Sequence, residues 1–130
     1  MDQREPHPAS DDGAATILVC DDDASLRELV RAVLGPRYRF VEAADGTEAL
    51  VLVREEHPDL IVLDVMLPGL SGIEVLEELR STDGLKEIPV VVITAWSHAE
   101  IDVQLAGADR FVSKPFDPDE LSTAVQELLA

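Results

Sequence analysis

The chain has 130 residues and a 46% hydrophobic content, enough for one domain with a real core and too apolar for a disordered polypeptide. Only 4% of residues are aromatic, so that core must be built mainly from Val, Leu, Ile and Ala. A net charge of −17 argues against direct nucleic-acid binding and against anionic membranes, both of which reward the opposite sign.

Residues 1–15 mix Asp, Glu, Pro, Ser, Gly and Ala without an apolar period and read as a flexible N-terminal tail, leaving 16–130 as the folded domain. No apolar leader and no stretch of membrane-spanning length is visible, so a cytoplasmic location is the default expectation. From Thr16 onwards, strand-like runs at 16–20, 38–42, 60–64, 89–94 and 110–113 alternate with helix-like stretches. These lie at about 24–34, 47–56, 72–81, 97–106 and 117–129.

The first run, Ile17-Leu18-Val19-Cys20, ends in Asp21-Asp22-Asp23. Cys20 is the only cysteine, which excludes an internal disulfide, and inside an apolar run it reads as a small buried filler. The helix that follows puts Leu26, Leu29, Val30, Val33 and Leu34 on one face, with Arg27, Glu28 and Arg31 opposite, and Gly35-Pro36 stops it. Asp45-Gly46 signals a turn before the second helix. The run Leu60-Ile61-Val62-Leu63 ends in Asp64, and Val90-Val91-Val92-Ile93 ends in Thr94. Phe111-Val112-Ser113 leads to Lys114-Pro115, and Asp117-Pro118-Asp119-Glu120 opens the last helix with a cap, an N1 proline and first-turn acids. Five βα repeats imply an α/β fold with a parallel sheet covered on both faces.

Open α/β sheets place their chemistry at the C-terminal strand ends, where this chain sets acids, an acid, a hydroxyl and an amine. Two like charges about 4 Å apart repel by roughly 4 kcal/mol at an effective dielectric of 20, so Asp21, Asp22 and Asp64 together call for a cation. All-oxygen ligation without His or Cys favours a hard ion such as Mg2+. An Asp nucleophile attacking phosphorus gives an aspartyl phosphate, and a lysine and a threonine suit the remaining phosphoryl oxygens.

On these residues the chain resembles the response-regulator receiver domain of two-component signalling. The matching segments are Asp21-Asp22-Asp23, Leu63-Asp64-Val65-Met66-Leu67-Pro68-Gly69 with Ser71-Gly72, Thr94-Ala95, and Phe111-Val112-Ser113-Lys114-Pro115-Phe116, spread over 16–129. The resemblance implies a flavodoxin-like, doubly wound (βα)5 fold with a five-stranded parallel sheet in the order 2-1-3-4-5. It implies Asp64 as phospho-acceptor, with Mg2+ held by Asp22, Asp64 and the backbone carbonyl of Met66. Asp21 would act through the metal's water shell, and Asp23 would assist from further out or merely cap the helix. Lys114 would pair with a phosphoryl oxygen, Thr94 would bond another once Asp64 is modified, and Phe111 would turn inward as Thr94 moves. A cis Lys114-Pro115 peptide is also implied, and Met66 and Trp96 would flank the path of the water that removes the phosphate. At Trp96 simple packing and gating stand level.

The chain departs from the family twice. Lys114 follows Thr94 by 20 positions, a shortened spacing that alters the signalling surface of the fourth and fifth helices and last strand. Phe111 also lacks the hydroxyl of the Tyr often found at the switch. After Thr94, seven acids face only Arg110 and Lys114, so a monomer is expected before phosphorylation. His7, His57 and His98 have no spacing partners and read as surface residues.

The expected function is a phosphorylation-switched module that takes a phosphoryl group from a sensor histidine kinase or phosphotransfer protein. It would then signal to an unidentified downstream protein or linked effector domain. A Mg2+-dependent phosphatase of the haloacid-dehalogenase type is the alternative, although its second acid would fall at Met66. A purely structural module and a flavin or dinucleotide site rank lower, the last for want of a glycine-rich phosphate loop after the first strand.

Overall fold

The computed structural model describes residues 13–95, 102 and 106–130. Five strands and, among the described residues, four helices alternate. The order is β1 (Thr16–Cys20), α1 (Ala24–Leu34), β2 (Arg39–Ala43), α2 (Gly46–Glu56), β3 (Leu60–Leu63), α3 (Gly72–Arg80), β4 (Val90–Thr94), β5 (Arg110–Ser113) and α4 (Pro118–Leu129). All strand pairs are parallel, in the order β2-β1-β3-β4-β5. This is the expected doubly wound architecture, in which the order of strand addition reverses between β1 and β3. Of the tail, only Gly13–Ala15 are described, and the Ala15 carbonyl already accepts from the Arg39 N–H at 2.8 Å. The expected helix at 97–106 lies outside the described residues except for Asp102 and Ala106, both helical. Trp96, His7, His98 and most of the shortened segment after Thr94 lie outside them as well.

Side-chain alternation divides the core into two layers. Leu18, Cys20, Ile61, Leu63, Val90 and Val92 face α2 and α3, where Ala49, Val53, Val75, Leu76 and Leu79 meet them. Ile17, Val19, Leu60, Val62, Val91 and Ile93 face α1 and α4 through Val30, Leu34, Leu121 and Val125. Strands buried on both faces read as unbroken aliphatic runs, which is why they were visible without a period-two pattern.

Local signals fix the helix ends. The Asp23 carboxylate accepts from the Ser25 N–H at 2.9 Å, so this residue caps α1. Gly35 closes the helix with φ 92°. Ser71 and Glu74 form a reciprocal capping box on α3. His57 is exposed as expected, yet it ends α2 in the left-handed region with φ 48°. At the N-terminal edge of the sheet, the Arg80 guanidinium donates to the carbonyls of Lys86, Ile88 and Gly107 and to the Asp109 carboxylate. One side chain thereby ties the end of α3 to the approaches of β4 and β5.

Candidate functional site

Four polar or charged residues are buried among those described, and three of them, Asp21, Asp64 and Thr94, stand at the C-terminal ends of β1, β3 and β4. The parallel ladder carries each acid into place. The Asp21 N–H donates to the Ala43 carbonyl at 3.1 Å, and the Asp64 N–H donates to the Cys20 carbonyl at 3.0 Å.

The two carboxylates are held alike. One oxygen of each closes a local turn: Oδ1 of Asp21 accepts from the Asp23 N–H, and Oδ1 of Asp64 from the Met66 N–H, both at 2.9 Å. The other oxygen meets the same amine, with Lys114 Nζ 3.0 Å from Asp21 Oδ2 and 2.7 Å from Asp64 Oδ2. Lys114 is brought there by β5, and its own N–H donates to the Thr94 carbonyl at 2.9 Å. The following Lys114-Pro115 peptide is cis, as expected.

Electrostatics follow from this packing. Burial is the largest influence on Asp21 and raises its carboxyl above the usual carboxylate range, against the opposing pull of the Asp23 N–H and Lys114. Burial works against charge on Lys114, but its hydrogen bonds to Asp64 and Asp21 outweigh that and raise the amine above its ordinary value. The Cys20 thiol is pushed strongly upward, first by burial and then by Asp21 and Glu48, so the residue is the inert filler expected.

The remaining candidates sit around this core. Asp22 is exposed and, with Met66 and the apolar residues of its loop, lines an open groove of about 760 Å3. Met66 is 62% exposed. Phe111 lies on β5 opposite Val92 and packs partly buried against the α2–α3 layer. Two glycines crowd the loop after β3. A Cβ on Gly72 would lie 2.4 Å from the Asp64 carbonyl oxygen, and one on Gly46 would lie 2.0 Å from that of Leu70.

Among the described residues no three acids, histidines or cysteines already form a metal cage. The Lys114 amine occupies one oxygen of each buried acid, and Asp22 is exposed. The donor set nonetheless fits a hard cation: two buried carboxylates and a third at the surface, all oxygen, sharing one positive charge. The raised Asp21 carboxyl marks charge that burial leaves undercompensated, which a divalent ion would relieve.

Periodicity placed Arg27 on the solvent face of the first helix, but its side chain is only 16% exposed. Its guanidinium donates to the Asp21 carbonyl at 2.6 Å and to Glu42 at 2.8 Å. No local sequence signal marks a contact with a strand tip, although an arginine so close after an acid cluster is a reason to look.

The model of the response regulator receiver domain family matches residues 17–126. The DNA-binding response regulator MtrA of Mycobacterium tuberculosis (strain ATCC 25618 / H37Rv) is 46% identical over 117 residues, 87% of this chain and 50% of its own length. The chain thus spans about half the length of the curated relatives it matches. Among solved structures, the Francisella response regulator 1452 receiver domain superposes with a TM-score of 0.81 at 32% identity, covering 88% of this chain and 96% of that one. The chemotaxis response regulator CheY4 of Vibrio cholerae gives 0.82 at 29% identity, covering 89% and 99%.

Proposed function

The chain belongs to the response regulator receiver domain family of two-component signalling, and from that premise we propose that Asp64 is its phospho-acceptor. Receiver domains partner with histidine kinases, bind Mg2+ at the phosphorylation site and are not classical enzymes. Nothing in the comparisons favours the haloacid-dehalogenase alternative, and Met66 stands where its second acid would be.

The observation that carries the assignment is the pair of buried carboxylates, Asp21 and Asp64, bridged by one lysine amine at the edge of a parallel sheet. In the transfer the Asp64 carboxylate attacks phosphorus. An O–P bond forms as the N–P bond of a phosphohistidine breaks, and the imidazole leaves with the electron pair. Lys114, already on Asp64, balances charge on a phosphoryl oxygen, and the Thr94 hydroxyl takes another. Asp22, Asp64 and the Met66 carbonyl would hold Mg2+, with Asp21 behind them. The ion supplies charge neutralisation for the phosphoryl oxygens. Thr94 and Phe111 then bias the surface of β5 and α4 between two states, a population shift driven by a phosphoryl group of roughly −1.5 to −2 charge in place of the single carboxylate charge.

The donor is a histidine kinase or a phosphotransfer protein, and the recipient is a downstream protein or a linked effector domain. The MtrA relatives are DNA-binding response regulators. The net charge of −17 disfavours such a contact by these residues. No helix among the described residues is long and apolar enough to cross a membrane, and we assign the domain to the cytoplasm. The acidic face of α4 favours a monomer before phosphorylation, and a stable dimer in light scattering at low salt would contradict this.

Acetyl phosphate with Mg2+, read by intact mass, tests the acceptor directly. Wild type gains one phosphate, while Asp64→Ala and wild type in excess chelator gain none. A labelled Asp64→Ala protein would overturn the assignment.

A further inference from the structure

Arg27 is tied to both ends of the acidic turn. Its guanidinium donates to the Asp21 carbonyl at 2.6 Å, and its own backbone N–H donates to the Asp23 carbonyl at 3.1 Å. Asp22 lies between these two anchors. The Asp21 carbonyl belongs to the peptide unit that also carries the Asp22 N–H, so a bond that fixes its direction fixes how the Asp22 backbone leaves β1. The guanidinium is itself held from the other side, with Nε 2.8 Å from Glu42 Oε1, while Glu42 Oε2 is braced by Arg31 at 3.2 Å. A forked donor clamped between a carboxylate on β2 and a carbonyl at the tip of β1 is a rigid support, one that a flexible point charge would not supply.

We infer that Arg27 is a positioning residue for the cation site: it orients Asp22 through the Asp21 peptide and so sets Mg2+ affinity without touching the ion. The inference rests on the reading of Asp22 as a Mg2+ ligand. Groups that orient metal ligands from behind cost about tenfold or more in affinity when removed. The charge of Arg27 acts in the opposite direction, because a cation close to the acids repels the metal. The two effects predict opposite signs, so the measurement separates them.

The test is Mg2+ titration by calorimetry of wild type, Arg27→Lys, Arg27→Gln and Asp22→Ala, each checked for folding by thermal unfolding in chelator. We expect Mg2+ to bind Arg27→Gln and Arg27→Lys about tenfold more weakly than wild type. The Mg2+ concentration giving half-maximal acetyl phosphate labelling should rise in step. Lysine keeps the charge but not the fork, so wild-type affinity in Arg27→Lys would overturn the inference, as would tighter binding in Arg27→Gln. If neither variant folds, NMR titration of wild type decides. The Arg27 Nε–H resonance should shift with the same Mg2+ midpoint as the Asp22 amide, and a stationary Arg27 signal would overturn the inference. Failure of the underlying reading looks different: Asp22→Ala would then bind Mg2+ as tightly as wild type.

Discussion

Lys114 Nζ lies 2.7 Å from Oδ2 of Asp64, a contact between residues fifty apart in the chain that joins the ends of β3 and β5. The same amine reaches Asp21, so two acids at least nine-tenths buried share a single counter-ion. The site is therefore held together by the amine we propose for the phosphoryl transfer, and the cation the family binds is its natural competitor.

Replacing that amine should expose the dependence. In Lys114→Met the two carboxylates face each other without compensation, and loss of charged hydrogen bonds at buried acids costs about 2 kcal/mol. Added Mg2+ should then restore the missing positive charge, raising the unfolding temperature of the variant more than that of wild type. Thermal unfolding with chelator and with Mg2+ checks both halves. An equal Mg2+ response in the two proteins would mean that amine and ion do not serve the same acids.

Asp21 gives a pH dependence with a definite sign. Its carboxyl is raised, first by burial, so ionisation costs more in the folded state than in the unfolded chain. The stability that protonation adds is complete below the ordinary value near 3.8 and is lost as pH rises through the folded value. In chelator, the Asp21 carboxyl carbon should titrate by NMR above the ordinary carboxylate range, and Mg2+ should move the midpoint down. A midpoint at or below the ordinary range would show that Lys114 and the Asp23 N–H outweigh burial.

Most of the sheet and the acids of the site were legible because they follow from local chemistry. A strand buried on both faces must be an aliphatic run, so an Asp that ends one, as Asp64 does, is conspicuous at once. Asp117 announces its helix as a cap, whereas Asp45, a turn signal in the sequence, caps α2 as well, and the boundaries of the described elements differ by only a residue or so. The strand order came from the resemblance, since spacing alone does not specify it. What sequence could not show are contacts made by parts of a residue that a polarity pattern ignores. Arg27 sits on the polar face of its helix, yet its guanidinium turns to a backbone carbonyl that only the folded β1 tip supplies. Arg80 likewise spends donors on three carbonyls from two segments distant in sequence. His57 looked like an ordinary surface residue because left-handed backbone at a helix end is usually signalled by glycine.

Gly46, a turn signal in the sequence, is also crowded in the fold, which bears on stability. It opens α2, where alanine is favoured over glycine by about 1 kcal/mol in a helix interior and by less at the end. A Cβ there would fall 2.0 Å from the Leu70 carbonyl oxygen, and the Gly46 N–H already donates to the Pro68 carbonyl at 3.2 Å. Overpacking against backbone costs about 1–3 kcal/mol and should win. Gly46→Ala is expected to unfold at lower denaturant by about 1–2 kcal/mol. A stabilised variant would show that the loop after β3 yields freely.

Loss of phosphate from Asp64 should be slow, and Met66 is a cause that can be tested. Hydrolysis requires a water aligned with the O–P bond, and holding it there needs a hydrogen-bonding group at the mouth of the site. Met66, two positions after Asp64, is 62% exposed and lines the groove shared with Asp22. A thioether on a three-bond stem is at best a weak acceptor, so it shields the phosphoryl group without orienting a water. An amide at this position has both a donor and an acceptor for that water. Met66→Asn should therefore lose phosphate about tenfold faster in matched buffer, less than the hundredfold or more of a general base, because an amide orients the water without taking its proton. The exposed site makes a folding defect small, and an unchanged unfolding temperature would separate chemistry from disruption. Loss at the wild-type rate in a fully folded Met66→Asn protein would place the control of hydrolysis elsewhere, with Trp96 the next residue to replace.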